Sequence, residues 1–397
     1  MMHAISLRQP QDLRKLMQDI GVDKYGIDIM LPKATHQLIK FRKLSSIAAN
    51  ILKQEMLSFG GEVAITRGAL TGQVKKTDGL IMGNLSQYKK LMDKLKQQPF
   101  GLNEFSRHLE KAIGNCQEKR LVLNLTKFKF DLSQRTLIMG IVNLTPDSFS
   151  GDGLYRLAPE QIFRIVEEKI KNGCDIIDLG AESSRPGARP ISAKEELNRL
   201  LPILKILVKK TKIPISIDTY KLEVARQVLD NGAVLINDIT GLRNKKLAKL
   251  IARYNAGVVI MHMKGNPQTM QKNPVYKSLI DEIIEYLERS VNIGLDAGIK
   301  KEKIIIDPGI GFGKTVEHNL EILARLSEFR SLGFPLLIGA SRKSFIGKLT
   351  NKPVQERLFP SIACAVLAAI NGANIVRVHD IKETREALKV LDAIIRR

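Results

Sequence analysis

The chain has 397 residues, of which 44% are hydrophobic and 26% are charged. This composition is typical of folded globular proteins and excludes the disordered, collagen-like and disulfide-rich classes. The 63 basic residues outnumber the 41 acidic residues and give a net charge of +22, which favours anionic ligands of any class. The longest apolar run, around residues 362–370, is far shorter than the roughly 18 residues of a membrane-spanning helix, so no membrane association is expected.

Cysteine and aromatic content narrow the function classes further. The three cysteines, Cys116, Cys174 and Cys364, are too few and too widely spaced for a disulfide framework or a thiolate metal site. The N-terminal segment lacks the apolar core of a signal peptide, and we therefore expect a cytoplasmic protein. Aromatic residues make up 5% of the chain and tryptophan is missing, which leaves few rings for stacking on single-stranded nucleic acid. Nucleic acid is not an expected partner.

Residues 1–130 are predicted to form a smaller N-terminal α/β domain. Its pattern consists of an amphipathic helix at 36–58, a strand at 61–68 after a Gly-Gly turn, a strand at 79–84 and a helix at 85–98. No motif in this part indicates chemistry. The sequence suggests only a contact with a partner or with a second subunit.

From residue 131 to residue 397, apolar segments of strand length alternate with amphipathic segments of helix length. Parallel strands joined by crossover helices give this alternation. The strand-like segments are 137–143, 175–182, 214–219, 234–240, 257–263, 303–309, 335–341 and 374–380. The main helical segments are 158–172, 193–210, 277–297, 315–331, 354–371 and 382–397. Eight such units in about 260 residues predict a closed (β/α)₈ TIM barrel, with a doubly wound open sheet as the alternative.

Each of the eight strand-like segments ends in polar or ionisable residues. In chain order these are Asn143, Glu182, Asp218, Asn237 with Asp238, His262, Asp307, Ser341 with Arg342 and Lys343, and Arg377 with His379. A TIM barrel gathers its strand ends around one mouth, where its active site lies. The pattern therefore predicts a single polar site to which all eight strands contribute.

The predicted mouth divides by charge. Asp218, Asn237 and Asp307 offer acceptors and one amide, which suit the edge of a flat heterocycle with several N–H donors. The last two strands carry cations and hydroxyls that suit phosphate or diphosphate, namely Ser341, Lys343, Ser344, Arg377 and His379. Asn143 is a candidate oxygen ligand for a Mg²⁺ ion that neutralises such an anion. We therefore expect a ligand with a polar ring and an anionic tail.

Two segments rich in Gly, Pro and Ser follow the first two strands, at 144–153 and 182–190. Their composition is typical of loops that close over a substrate. A third glycine-rich run, 307–315, is not a phosphate-binding P-loop, because Pro308 occupies the position of the first required glycine.

Seven runs carry a family signature: GIVNLTPDSFSGDG (140–153), GCDIIDLGAESSRPGA (173–188), ISIDTYK (215–221), INDITG (236–241), IDPGIGFGKT (306–315), GASRKSFIG (339–347) and VRVHD (376–380). Together, in this order, they resemble the dihydropteroate synthase family of the folate pathway, and the resemblance extends from about residue 137 to residue 395. It implies a TIM-barrel transferase that condenses 6-hydroxymethyl-7,8-dihydropterin diphosphate with p-aminobenzoate and releases pyrophosphate. It also implies a sulfonamide target that pairs as a homodimer.

The resemblance implies a role for each candidate residue. The expected pterin-binding residues are Asp218, Asn237, Asp307 and Lys343. The residues expected to hold the diphosphate are Asn143, Ser341, Arg377 and His379, with Asn143 as the Mg²⁺ ligand. The expected p-aminobenzoate pocket consists of Phe149, Ser184, Arg185, Pro186, Phe312 and Ser344. The expected catalytic residues are Asp218, Lys343, Arg377 and His379.

The sequence departs from the family pattern in the two loops. Gly151 and Asp152 are transposed relative to the usual run, which puts the geometry of the first loop in doubt. Ser184 replaces the usual threonine of the second loop and retains a hydroxyl group.

Two alternative functions come from different classes. A pterin-dependent methyltransferase has a similar barrel and the same Asp-Asn-Asp set, but it needs no diphosphate site. The SSRPGA, SRKS and VRVHD runs therefore favour the synthase over the methyltransferase. A basic RNA-binding protein with a vestigial barrel is the non-enzymatic alternative. For a synthase, the amine could be p-aminobenzoate or a substituted aniline.

Overall fold

The computed structural model describes residues 2–5, 10–118, 120–145, 154–183 and 187–395. The chain divides into two compact units, Met1–Gly114 and Asn115–Arg397. The predicted boundary after residue 130 falls within the second strand, 128–131, of a β-hairpin that the structure places in the second unit. The division itself falls within a helix.

The first unit contains a three-stranded antiparallel sheet. Its elements are α1 (Pro10–Asp19), α2 (Lys24–Ala34), β1 (His36–Ser45), α3 (Ser46–Ser58), β2 (Glu62–Ile65), α4 (Arg67–Leu70), β3 (Lys76–Asn84), α5 (Leu85–Leu95) and α6 (Leu102–Gln117). The strand order is β1-β3-β2. Ile81 of β3 and Tyr88 of α5 are fully buried in its core. The predicted helix at 36–58 is wrong in its first part, because residues 36–45 form a strand and the helix begins at Ser46.

The second unit begins with a hairpin, β4 (Val122–Leu125) and β5 (Phe128–Asp131), whose strands pair antiparallel. Leu123 and Leu125 are fully buried in a cluster with the first residues of several barrel strands. A side chain on Gly257, the first residue of one of these strands, would collide with Leu125. The hairpin therefore covers the end of the barrel at which the strands begin.

An eight-stranded parallel sheet forms the barrel in the described part of the second unit. Its strands are β6 (Leu137–Asn143), β7 (Ile176–Gly180), β8 (Ile215–Asp218), β9 (Leu235–Asp238), β10 (Gly257–Met261), β11 (Ile304–Asp307), β12 (Leu337–Ile338) and β13 (Ile375–Val378). The order is β11-β10-β9-β8-β7-β6-β13-β12, and a parallel bridge between Ile306 and Leu336 joins the two edges. The strands are mainly buried apolar runs, as expected where helices cover a parallel sheet. The predicted fold class, a TIM barrel with a smaller N-terminal α/β part, is confirmed.

Helices follow the strands and cover the barrel. They are α7 (Pro159–Lys171), α8 (Ala193–Lys210), α9 (Leu222–Asp230), α10 (Lys245–Arg253), α11 (Leu279–Asp296), α12 (Val316–Ala324), α13 (Ser344–Thr350), α14 (Leu358–Ile370) and α15 (Ile381–Ile395). Short 3₁₀ turns occur at Lys301–Lys303, Leu326–Leu332 and Val354–Glu356. Gly173 and Gly372, each preceded by an asparagine, end α7 and α14 in the left-handed conformation, with φ of 97° and 103°. None of the described helices combines the length and the apolar character that crossing a membrane requires.

Candidate active site

A cavity of about 140 Å³ lies at the carboxyl ends of the barrel strands. This volume is about ten times what one water molecule requires, so the cavity can hold a ring system. Its lining includes every predicted site residue that the structure describes, namely Asn143, Asp218, Asn237, Asp307, Phe312, Ser341, Lys343, Ser344, Arg377 and His379. The other predicted site residues, Phe149, Ser184, Arg185 and Pro186, lie outside the described residues, as do Gly151 and Asp152.

Arg377 of β13 connects the buried carboxylates of the cavity. Its Nε–H donates to Oδ2 of Asp178 at 2.7 Å, and its Nη2–H donates to Oδ2 of Asp218 at 3.2 Å. The side-chain amide of Asn237 donates to the same Asp178 oxygen at 3.1 Å. These bonds join β7, β8 and β9 to β13 across the mouth. The residues expected to hold the ring and those expected to hold the anion therefore share one opening.

The burial of these groups shifts their protonation. Burial raises the pKa of Asp218 to about 7, while Arg377 opposes this shift and Asp178 adds to it. Burial disfavours the charge of Arg377, but Asp178 and Asp218 together raise its pKa. Asp218 therefore changes protonation near neutral pH, whereas Arg377 keeps its charge.

Lys343 links the end of β11 to the glycine-rich loop that follows it. Its Nζ donates to the carbonyl of Ile310 and lies 4.6 Å from the centre of the Phe312 ring. Oδ1 of Asp307 accepts the Gly309 N–H at 2.6 Å. Burial lowers the pKa of Lys343 to about 8 against the attraction of Asp307, and burial also raises the pKa of Asp307.

The turn after β12 fixes the direction of Lys343. Its neighbour Arg342 has a left-handed φ of 56°, which is uncommon for a residue with a side chain. The Arg342 side chain is held by Asp380, with Nε 3.0 Å from Oδ2, and the Arg342 carbonyl accepts from Arg357 Nη1 at 3.0 Å. Such a backbone conformation persists only where the surroundings determine it.

His379 and Ser341 form a hydrogen-bonded pair at the ends of β13 and β12. The Ser341 hydroxyl oxygen accepts the His379 backbone N–H at 3.3 Å and lies 3.0 Å from Nδ1 of the ring. When the single hydroxyl proton points to Nδ1, the imidazole carries its proton on Nε2. In this tautomer Nε2–H is a donor for an anion.

Asn143 and Asp218 lie on either side of Gly180. A Cβ atom at Gly180 would be 3.8 Å from both Oδ1 of Asn143 and Oδ2 of Asp218, so glycine keeps a space between these oxygens open. Among the described residues, no group of three His, Cys, Asp or Glu side chains could hold a metal ion. Mg²⁺ commonly keeps several waters and takes one or two protein oxygens together with substrate phosphates. The residues present fit a Mg²⁺ ion of that kind and do not fit a metal cage made by the protein alone.

Asp178 is the main site residue that the sequence analysis missed. It lies within β7 rather than at its end, is fully buried, and accepts hydrogen bonds from both Arg377 and Asn237. A carboxylate inside an otherwise apolar strand was the sequence signal that could have identified Asp178. A buried charge needs a partner, so such a residue indicates a buried polar contact. The cavity also has an apolar wall that was not predicted from the sequence. Its residues are Ile141, Ile239, Met261 and Met270.

Two strand-end residues that were expected at the mouth have other contacts. Asp238 accepts the backbone N–H groups of Thr240 and Leu242, both at 2.8 Å, and so fixes the loop after β9. Nδ1 of His262 lies 2.9 Å from Nζ of the buried Lys314. Neither residue is among those that line the cavity.

Comparison with known proteins identifies the family. A family model described as pterin binding enzyme matches residues 139–379. A dihydropteroate synthase from Clostridium beijerinckii is 46% identical over 271 residues, which cover 68% of this chain and 98% of that relative. The chain belongs to the dihydropteroate synthase family. The predicted family and the predicted enzyme class, a transferase, are thus confirmed.

Further relatives support the same assignment. A solved structure of the dihydropteroate synthase from Yersinia pestis, in a sulfonamide drug complex, is 42% identical with a TM-score of 0.67 and covers 69% of this chain and 99% of that chain. A probable bifunctional folylpolyglutamate synthase/dihydropteroate synthase from Halobacterium salinarum is 37% identical over 382 residues, which cover 96% of this chain and 46% of that relative. These relatives favour a dihydropteroate synthase over the methyltransferase and the RNA-binding protein.

Proposed function

We propose that this chain condenses 6-hydroxymethyl-7,8-dihydropterin diphosphate with p-aminobenzoate to give 7,8-dihydropteroate and pyrophosphate. The observation that carries the proposal is the hydrogen bonding of Arg377, which lines the cavity, to Asp218 in the same lining and to the buried Asp178 beneath it. This contact puts a cation for the diphosphate next to the carboxylates that recognise the ring.

The ring binds through acceptors that match its N–H groups. Asp218 and Asp307 accept from the amino group and the ring N–H groups of the pterin, and the Asn237 amide completes the edge. Lys343 donates to a ring acceptor from the side of Phe312. Buried carboxylates are retained only when paired, and the bound pterin supplies the pairing in place of water.

Bond breaking needs charge stabilisation more than a general base. When the C–O bond to the diphosphate breaks, the bonding electrons leave with the diphosphate and a cation delocalised over the dihydropterin remains. The carboxylates of Asp178 and Asp218 stabilise that cation, and Arg377 and Nε2–H of His379 hold the leaving diphosphate. Ser341 contributes by holding His379 in the tautomer that donates from Nε2. A guanidinium has five N–H donors, so Arg377 can contact carboxylates and diphosphate together.

The amine then attacks the methylene carbon, and its nitrogen loses a proton to the released pyrophosphate. Phe312 and Ser344 line the cavity and are available to the aromatic ring and the carboxylate of p-aminobenzoate. The contributions of Phe149, Ser184, Arg185 and Pro186 stay predictions from the sequence. Exclusion of water is required at this step, because water competes with the amine for the cation.

We propose Mg²⁺ as the cofactor, which Asn143 would help to hold. When bound, the ion neutralises part of the diphosphate charge and makes it a better leaving group. Asn143 supplies a neutral oxygen ligand, which suits an ion that brings its remaining ligands as water and phosphate.

We further propose that the protein forms a homodimer through α14. Phe359 is 77% exposed on this helix, and Leu367 and Ile370 are each 43% exposed, although the helix is strongly apolar. Exposed apolar side chains grouped on one element are typical of protein interfaces. The mass of the protein in solution tests this proposal. Cytoplasmic location and the lack of a nucleic-acid partner stay predictions from the sequence.

Turnover tests the proposed reaction. The purified chain with Mg²⁺, the pterin diphosphate and p-aminobenzoate should release one pyrophosphate for each dihydropteroate formed, and sulfanilamide should compete with p-aminobenzoate.

An Asp307→Asn variant should lose about a hundredfold in kcat/KM, as loss of a preorganised polar contact does elsewhere. The matched control Asp296→Asn, at the exposed end of α11, should behave as wild type. Methyl transfer from methyl-tetrahydrofolate, without pyrophosphate release, would contradict the proposal.

A further inference from the structure

The turn that carries Lys343 is held from outside the cavity by the start of α14. Arg342, the residue before Lys343, has a left-handed φ of 56°, a conformation that needs support from its surroundings. Its backbone N–H donates to the hydroxyl of Ser361 at 2.9 Å, and its carbonyl accepts from Nη1 of Arg357 at 3.0 Å. The peptide groups on both sides of Arg342 are therefore fixed by residues at the start of α14.

Arg357 also contacts α13, the short helix that begins directly after Lys343. Its Nη1 lies 3.5 Å from the Lys343 carbonyl, and its Nε–H donates to the carbonyl of Lys352, just after the helix, at 3.0 Å. A Cβ atom at Gly347, in the middle of α13, would be 2.0 Å from Nη2 of Arg357, so glycine leaves the space that the guanidinium occupies. One side chain thus fixes α13 at its start, its middle and its end.

Ser361 completes this arrangement. Its hydroxyl accepts from the Arg342 N–H and donates to the carbonyl of Arg357, and the residue is 5% exposed. A buried hydroxyl that both donates and accepts has a defined orientation. We refer to Arg357 and Ser361 as the α14 pair. Neither residue is among those that line the cavity, so the pair acts on the reaction only through the residues that it holds.

Lys343 reaches its contacts in the cavity from this turn. Its Nζ donates to the Ile310 carbonyl and lies 4.6 Å from the centre of the Phe312 ring. A Cβ atom at Gly311 would be 3.2 Å from Cδ of Lys343, so the aliphatic part of the side chain lies along this glycine. A shift of the backbone would withdraw the ammonium group from these contacts and expose it to water.

We propose that Arg357, together with Ser361, is a positioning residue that holds Lys343 in the cavity, an inference whose effect on turnover rests on the proposed function. The α14 pair keeps the Arg342 backbone in its uncommon conformation, and this conformation sets the direction in which the next side chain leaves the main chain. Without the pair, the turn relaxes to a more favourable conformation, and the Lys343 ammonium group no longer meets Ile310.

The charged neighbours of Lys343 make its pKa a measure of its position. Burial lowers this pKa to about 8, while Asp307 on β11 and Asp218 on β8 favour the charged form and Arg377 on β13 opposes it. The buried Lys314, after β11, is a second neighbouring cation. Substitutions in the α14 pair leave these four groups in place. A rise in the pKa of Lys343 would therefore report that its ammonium group has regained water.

Acetylation of the full chain measures this pKa without turnover. Only the neutral amine reacts with acetic anhydride, so the rate of Lys343 acetylation against pH, read by peptide mass spectrometry, has its midpoint at the pKa. Arg357→Met should raise the midpoint by about one pH unit or more, towards the ordinary lysine value. It should also lower kcat/KM about tenfold to a hundredfold, as small displacements of site groups do. Arg289→Met, an exposed arginine of α11, is the matched control and should change neither.

Ser361→Ala separates position from charge. Removal of the Arg357 guanidinium takes away a cation, which in itself favours the charged form of Lys343. Ser361→Ala removes only a hydroxyl and leaves the charge of the molecule unchanged. It should still raise the midpoint, by about half a pH unit, because the hydrogen bonds to Arg342 and Arg357 are lost. An unchanged midpoint in a folded Ser361→Ala variant would overturn the inference.

The remaining outcomes are also defined. A folded Arg357→Met variant that melts at a lower temperature but keeps the wild-type midpoint shows a merely structural role and overturns the inference. If Arg357→Met does not fold, Ser361→Ala decides by the shift of its midpoint. If the wild-type chain makes no dihydropteroate, the proposed function fails, whereas the acetylation midpoints still test the position of Lys343.

Discussion

Asp218 and Lys343 have pKa values that are displaced towards each other by burial, to about 7 and about 8. Below pH 7 the protonated Asp218 loses its negative charge and one of its two acceptor oxygens, and above pH 8 Lys343 is deprotonated and loses its positive charge. We therefore expect a narrow bell-shaped pH dependence of kcat/KM with a maximum between these values, because kcat/KM reports groups of the free enzyme.

A Lys343→Arg variant separates the two limbs of this pH profile. Arginine keeps its proton throughout the accessible range, so the alkaline limb should move to higher pH while the acid limb stays near pH 7. The overall rate will fall, because arginine differs from lysine in shape, but the position of the limb does not depend on the rate. A flat wild-type profile between pH 6 and pH 9 would contradict the assignment of both limbs.

At the residue scale, the sequence predicted the strand-end members of the site and missed the partners that hold them. Asp218, Asp307 and Arg377 could be found because parallel strands in a barrel bring their ends to one mouth. Asp178 could not be found by that rule, since it lies inside β7 and meets the site only through its hydrogen bonds with Arg377 and Asn237. The pairing of Arg377 with two carboxylates required knowledge of which strands are opposite each other, and a single sequence does not give this.

At the element scale, α15 is attached to the barrel by a buried ion pair at the end opposite the cavity. Arg385 of α15 bonds the carboxylate of Asp175, just before β7, and donates to the carbonyls of Gly173 and Thr136 at 3.1 Å and 3.2 Å. The same carboxylate accepts the Ile138 N–H at 2.8 Å. One guanidinium thus joins α15 to the starts of the first two barrel strands.

Arg385→Met should destabilise the fold without changing catalysis. Removing one partner of a buried pair costs about 3–5 kcal/mol, and we expect the low end because Arg135 also bonds Asp175, with Nη1 2.8 Å from Oδ2. Urea unfolding gives the loss in unfolding free energy, and kcat should stay unchanged, because the pair is at the far end of the barrel. Lys389→Met, exposed on the same helix, is the control. A loss below about 1 kcal/mol, the range of exposed pairs, would refute the argument.

The elements of the barrel were easier to predict than those of the first unit. Strands buried on both faces read as continuous apolar runs, and their helices have a clear amphipathic period. Strand β1 carries Leu38, Lys40 and Arg42 on an exposed face, with Ile39 and Phe41 on the other. Its ten residues run directly into the N-terminus of α3, so the mixed polar and apolar pattern of 36–58 resembled one long helix.

At the scale of the whole molecule, each unit has its own hydrophobic core. The core of the first unit includes Met56, Ile81 and Tyr88, whereas the cores of the second unit lie between the barrel and its helices and beneath the β4–β5 hairpin. Every residue that lines the cavity comes after residue 140. A unit with its own core is expected to fold alone.

A chain of residues 115–397 should therefore fold and turn over substrate with a kcat within about threefold of the full chain. A chain that starts at Thr136 lacks the hairpin and should melt at a clearly lower temperature, because the loss of a buried leucine such as Leu123 or Leu125 costs about 2–5 kcal/mol. Thermal unfolding and pyrophosphate release measure both effects. If residues 115–397 fold but release pyrophosphate much more slowly, the first unit serves catalysis. If their kcat is unchanged and the number of subunits per particle in solution falls, the first unit serves assembly. Loss of a subunit contact changes this number without affecting the cavity.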